Sequence, residues 1–61
     1  MGYPATLEEI LGIAYNAGAS DCHITVGVPP IIRLNGHLKK LDLPVLTPND
    51  TLEFVVNLLR P

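Results

Sequence analysis

Gly18-Ala19-Ser20-Asp21-Cys22-His23-Ile24-Thr25-Val26-Gly27-Val28-Pro29-Pro30-Ile31-Ile32-Arg33-Leu34-Asn35-Gly36 is the stretch that decides the fold. It predicts a helix stop, a strand, a Gly/Pro crossover, a second strand and a hairpin turn. Gly18 follows a helical pattern, at the place where a left-handed C-cap suits a residue without Cβ. Cys22 to Val26 alternates, with Cys22, Ile24 and Val26 on one face and His23 and Thr25 on the other. Gly27 and Pro29-Pro30 then forbid both a helix and a continuous ladder. Asn35-Gly36 marks the hairpin, since both residues tolerate positive φ.

Upstream, Thr6-Leu7-Glu8-Glu9 has the form of a capping box, and Leu7, Ile10, Leu11 and Ala14 recur at helical spacing. The pattern predicts an amphipathic helix from Thr6 to about Ala17, with Glu8 and Glu9 at the favourable end of its dipole. Downstream, Asp42 to Pro44 is expected to be a loop. Thr47-Pro48-Asn49-Asp50 opens a second helix, with Thr47 as N-cap and Pro48 at a position where its missing N–H is harmless. Leu52, Val55, Val56 and Leu59 form its apolar stripe, expected to be core unless a partner covers it. Pro61 either ends this helix or begins the next segment.

The hairpin admits two registers. A two-residue turn pairs Leu34 with His37 and Arg33 with Leu38. A three-residue loop with Gly36 as a bulge pairs Arg33 with His37 and Ile32 with Leu38. The second sorts polar from apolar residues better near the turn and is the expected one. It would place Arg33, His37 and Lys39 on one face. The fold class that results is α+β: helix, strand, β-hairpin and helix, with the helices packed on an antiparallel sheet.

The bulk numbers narrow the function. At 61 residues the chain is one domain at most, near the lower size limit for a self-sufficient core. A net charge of −2 and 5% aromatic residues give neither the basic footprint nor the stacking platforms that nucleic acid requires. Cys22 is the one cysteine, so no internal disulfide forms, and it is expected to be a small buried hydrophobe. No apolar run approaches the length of a bilayer span. No G-x-x-x-x-G-K-[ST] loop occurs, so the chain lacks the phosphate cradle that ATP hydrolysis needs and no catalytic residue is assigned. His23, His37 and an acid could bind a metal only if both histidines faced the same way, with Cys22 pointing elsewhere; no metal site is expected.

The run from Gly18 to Gly36 resembles the start of the PilT-type ATPases, the hexameric motors that retract type IV pili in twitching motility. The shared elements are Gly-Ala-Ser-Asp-x-His, Thr25-Val26-Gly27-x-Pro29-Pro30, and Arg33 placed two residues before the Asn35-Gly36 turn. The Val-Gly-x-Pro-Pro connection favours the retraction branch over the relatives that drive type II secretion or pilus extension. The resemblance implies that residues 1–61 are the first part of a PAS-like N-terminal domain, with the motor domain absent. It implies a cytoplasmic protein at the inner face of the bacterial membrane. Its partners would be the neighbouring subunit's motor domain in a homohexamer and the pilus inner-membrane machinery. ATP and magnesium would belong to the motor, and no cofactor to this chain. An unpaired sheet edge and uncovered apolar surface would invite self-association.

The same resemblance makes Arg33 the nucleotide-contacting candidate. A fixed fork of donors matches phosphate oxygens; the plainer alternative is a strand arginine whose stem covers apolar surface. Asp21 is expected to hydrogen-bond backbone N–H groups of its turn. His23 points outward and, with His37, is an interface candidate. A contrasting function of another class is a stand-alone PAS-like interaction or small-ligand module, which a ligand bound between the first helix and the sheet would support.

Overall fold

The first helix, α1, spans Leu7–Ala17 and is closed at both ends by the residues that the sequence marks. In this computed structural model, which describes residues 2–59, Thr6 Oγ1 accepts from the Glu9 backbone N–H at 3.0 Å. The Thr6 N–H in turn donates to Glu9 Oε1 at 2.8 Å. Gly18 caps the other end at φ 78°, a left-handed conformation that costs a residue without Cβ little. Three strands follow: β1 at Asp21–His23, β2 at Ile31–Leu34 and β3 at His37–Lys40. They form an antiparallel sheet in the order β1-β2-β3. The second helix, α2, spans Pro48–Leu58 and opens with Thr47 and Asp50 capping each other reciprocally. The chain is therefore α+β, in the expected order. The expectation for Pro61 falls outside the described residues.

The first strand is shorter than the alternation predicts. Beyond His23 the chain leaves β2 and makes an isolated parallel bridge, Val26 with Leu46. Gly27 N–H donates to Leu46 O at 2.8 Å, and Leu46 N–H to Val28 O at 3.0 Å. The Gly/Pro connection is thus tied to the segment before α2, and Leu46 is carried into the core.

The hairpin takes the two-residue turn and not the expected three-residue loop. Leu34 pairs with His37, Arg33 with Leu38 and Ile32 with Lys39. Asn35 and Gly36 both have positive φ, 51° and 81°, the conformation whose twist matches that of the flanking strands. The ladder then continues past the strand ends, with Leu41 N–H donating to Pro30 O at 2.9 Å. Sorting of polar from apolar residues had little force here, because all four residues of β3 are exposed.

The core joins both helices to the sheet's first edge. Ile10 of α1, Leu46 and Phe54 of α2 are buried together, with Tyr3, Ala5, Leu7, Cys22, Ile24, Leu41 and Leu43 packed around them. Tyr3 meets Phe54 edge-on, ring centroids 5.9 Å apart, and its hydroxyl donates to Pro44 O. The expected α2 stripe is not core: Leu52, Val55, Val56 and Leu59 are all exposed, while Phe54 is only 6% exposed. In α1, likewise, Leu11 lies outside and Ile10 and Ala14 inside. Cys22 is half-buried, less than expected. No helix among the described residues is long and apolar enough to cross a membrane.

Candidate functional site

Residues directly opposite across a sheet share a face, so the observed register sorts every candidate side chain. Cys22, Ile32 and Lys39 lie in one row, and Ile32 is buried. Since Cys22 packs on the core, this is the face toward the helices. His37 pairs with Leu34 on that same face, yet is exposed because β3 reaches beyond the helical cover. The opposite face carries Asp21, Arg33 and Leu38 in one row and His23, Ile31 and Lys40 in the next. The expected grouping of Arg33, His37 and Lys39 is therefore broken. Arg33 shares its face with His23 and Lys40, and His23 and His37 point to opposite sides of the sheet.

The site has its centre at the start of β1. Arg33 Nε donates to Asp21 Oδ2 at 2.9 Å, and Ser20 Oγ donates to the same oxygen at 3.1 Å. The backbone reinforces the contact, because Asp21 and Arg33 are register partners and Ser20 N–H donates to Arg33 O at 3.0 Å. The Asp21 carboxylate thus takes side-chain donors, not the turn's backbone N–H groups that the sequence suggested. The pair is open to solvent, with side chains 40% and 50% exposed, so its own contribution to stability is small, about 0–1 kcal/mol.

Charge is distributed unevenly around it. From Cys22 to Leu41 the sequence has no acid, while Arg33, Lys39 and Lys40 all lie on the β2–β3 hairpin. Glu8 and Glu9 sit on α1, and Asp50 and Glu53 on α2. Burial pushes the Cys22 thiol above its ordinary pKa, which keeps it a neutral thiol at the sheet–helix contact. Tyr3 is also raised, by burial first and the Asp50 charge second.

Among the described residues no group of histidines, cysteines and acids is arranged to hold a metal. An open groove of about 300 Å³ runs between the start of α1 and α2, lined by Thr6, Leu7, Glu8, Phe54, Asn57 and Leu58. It lies between the two helices, not between α1 and the sheet, and it does not include Arg33. The sequence missed Ser20, whose hydroxyl steadies the Asp21 carboxylate. It also missed the Asp21–Arg33 pair, although counting an antiparallel β1–β2 register across the Gly/Pro connection would have found it.

Comparison with known proteins bears on this arrangement. Over 40 residues, 66% of this chain, the sequence is 40% identical to the type IV pilus retractation ATPase PilT of Pseudomonas aeruginosa. Over 53 residues, 87% of this chain, it is 35% identical to the type IV pilus ATPase PilU of the same organism. Both matched stretches are similar to type IV pilus ATPases. It covers 12% of the length of PilT and 14% of that of PilU. No protein-family model matches. The PilT-type likeness spans most of the residues that build the sheet and its turns.

Proposed function

We propose that this chain is the first part of a PAS-like N-terminal domain of a hexameric type IV pilus motor. In that motor it would act as a subunit-interface and nucleotide-gating element in pilus retraction and twitching motility. The observation that carries the proposal is the placement of Arg33. It stands on the sheet face away from the helices, held at Nε by Asp21, beside the cationic Lys40 of the adjoining row. An arginine so presented suits phosphate oxygens offered by a second domain. The similarity to PilT and PilU supports a motor as that second domain.

In this reading ATP and magnesium are held by the motor region, which also performs hydrolysis. Arg33 approaches from the neighbouring subunit and couples domain position to nucleotide. His23, on the same open face, belongs to the interface, and so does His37 at the exposed end of β3. The assembly works at the inner face of the bacterial membrane with the pilus machinery.

The test is Arg33→Ala in the complete motor that carries this sequence. Turnover of ATP should fall at least about tenfold, below the range typical of arginines that contact the transferred phosphate directly. Circular dichroism should stay unchanged. Arg33→Lys should recover only part of the rate, since an ammonium lacks the planar fork. Wild-type turnover in Arg33→Ala would remove Arg33 from the mechanism.

A further inference from the structure

We propose that Asp21 is the positioning residue for Arg33, setting the guanidinium so that its two Nη groups face a phosphoryl oxyanion brought by the second domain. This rests on the reading of Arg33 above and names what makes that arginine ready. A guanidinium offers a side edge, Nε with one Nη, and an end edge made by both Nη groups. Asp21 engages Nε, and among the described residues no hydrogen bond is made by either Nη. The side edge is therefore the anchored one, and the end edge is left for a bidentate partner.

Three further contacts make the anchor rigid. Ser20 Oγ fixes the same Asp21 Oδ2 that receives Nε. The register places Asp21 opposite Arg33, and the Ser20 N–H bond to Arg33 O locks the two backbones together. A long arginine stem otherwise samples many rotamers, all but a few of which aim the end edge wrongly. Asp21 does not touch the oxyanion in this arrangement; it acts through Arg33. Its single contact at Nε also leaves the guanidinium charge only partly neutralised, so the arginine keeps its attraction for a second anion.

The experiment compares Asp21→Ala, Asp21→Asn, Arg33→Ala and the Asp21→Ala/Arg33→Ala double variant in the complete motor. It reads kcat, KM for Mg-ATP and the thermal midpoint. Asp21→Ala should lower kcat roughly ten- to hundredfold, the scale of a misplaced catalytic contact, with KM nearly unchanged. Asp21→Asn keeps an acceptor oxygen in the same place and should fall between it and wild type. The double variant should be no slower than Arg33→Ala alone, since a positioning residue has nothing left to position. In the 61-residue chain itself, the Arg33 Nε–H resonance should exchange more slowly with water than a free guanidinium, and faster than in wild type, but not fully unprotected, in Asp21→Asn. That readout stands even if Asp21→Ala fails to fold. Wild-type kinetics in both Asp21 variants beside a slow Arg33→Ala would overturn the positioning role and leave the Arg33 reading intact. A double variant slower by the product of the two single effects would show Asp21 acting independently and overturn it too. Wild-type turnover in Arg33→Ala removes both.

Discussion

Asp21 and Arg33 stand twelve positions apart in the chain and face each other because β1 and β2 pair antiparallel across a Gly/Pro connection. A carboxylate that precedes a strand usually serves its own turn; here it serves the neighbouring strand, and Ser20 adds the donor that holds it in place. Cys22, next to it, points to the other face and meets the core. Burial disfavours its thiolate, so its folded-state pKa lies above that of the unfolded thiol. The stability contributed by the neutral thiol is therefore whole below the unfolded pKa and is lost as pH rises through the folded one. Alkylation by iodoacetamide near pH 8 should run slower in the folded chain than in the same chain in urea. Equal rates would show that the thiol is not shielded.

At the level of single elements the sequence was legible because the signals are local. Both helices begin at a Thr whose partner lies three residues on: the capping box predicted at Thr6 and Glu9 forms, and Thr47, expected only as an N-cap, forms a second box with Asp50. Thr6→Ala and Thr47→Ala should each cost about 1 kcal/mol in denaturant unfolding. Their effects should add within about 0.5 kcal/mol, because the two caps share no hydrogen bond. A cost near zero for either would mean that its helix is held by packing alone. The hairpin was less legible. Asn35-Gly36 announced a turn but not its length, and the sorting of polar residues on β3 misled because β3 is exposed on both faces. Backbone twist decided the register, and with it which β3 residues share a face with Arg33.

For the whole molecule, the dimensions 32 × 26 × 15 Å describe a slab with room for a single layer of core side chains. A folded chain of 6.6 kDa is expected to expose about 3,900 Å², and this one exposes 4492 Å², roughly 600 Å² more. Much of the exposed apolar surface is the α2 stripe, where Leu52 is 60% and Leu59 79% exposed. Phe54→Ala should cost about 3–5 kcal/mol. That is as much as so small a core supplies, so circular dichroism should show the variant largely unfolded at 25 °C. Leu52→Gln with Val56→Gln should leave thermal unfolding within about 0.5 kcal/mol per site of wild type. A large loss of stability in that pair would place the stripe in the core after all.

The sequence by itself determined where both helices begin, where α1 ends and where the turns fall, and the PilT-type likeness of the run from Gly18 to Gly36. Caps, turn glycines and prolines act within about four residues, so neighbouring positions carry the whole signal. Only the tertiary structure decided which side of α2 is buried, how β3 registers on β2, and that Arg33 is anchored by Asp21. Helical periodicity marks more than one apolar surface on α2, and packing against Ile10, Leu46 and Tyr3 selected the one that carries Phe54. Burial and register belong to pairs of elements, and no window along one element contains both partners.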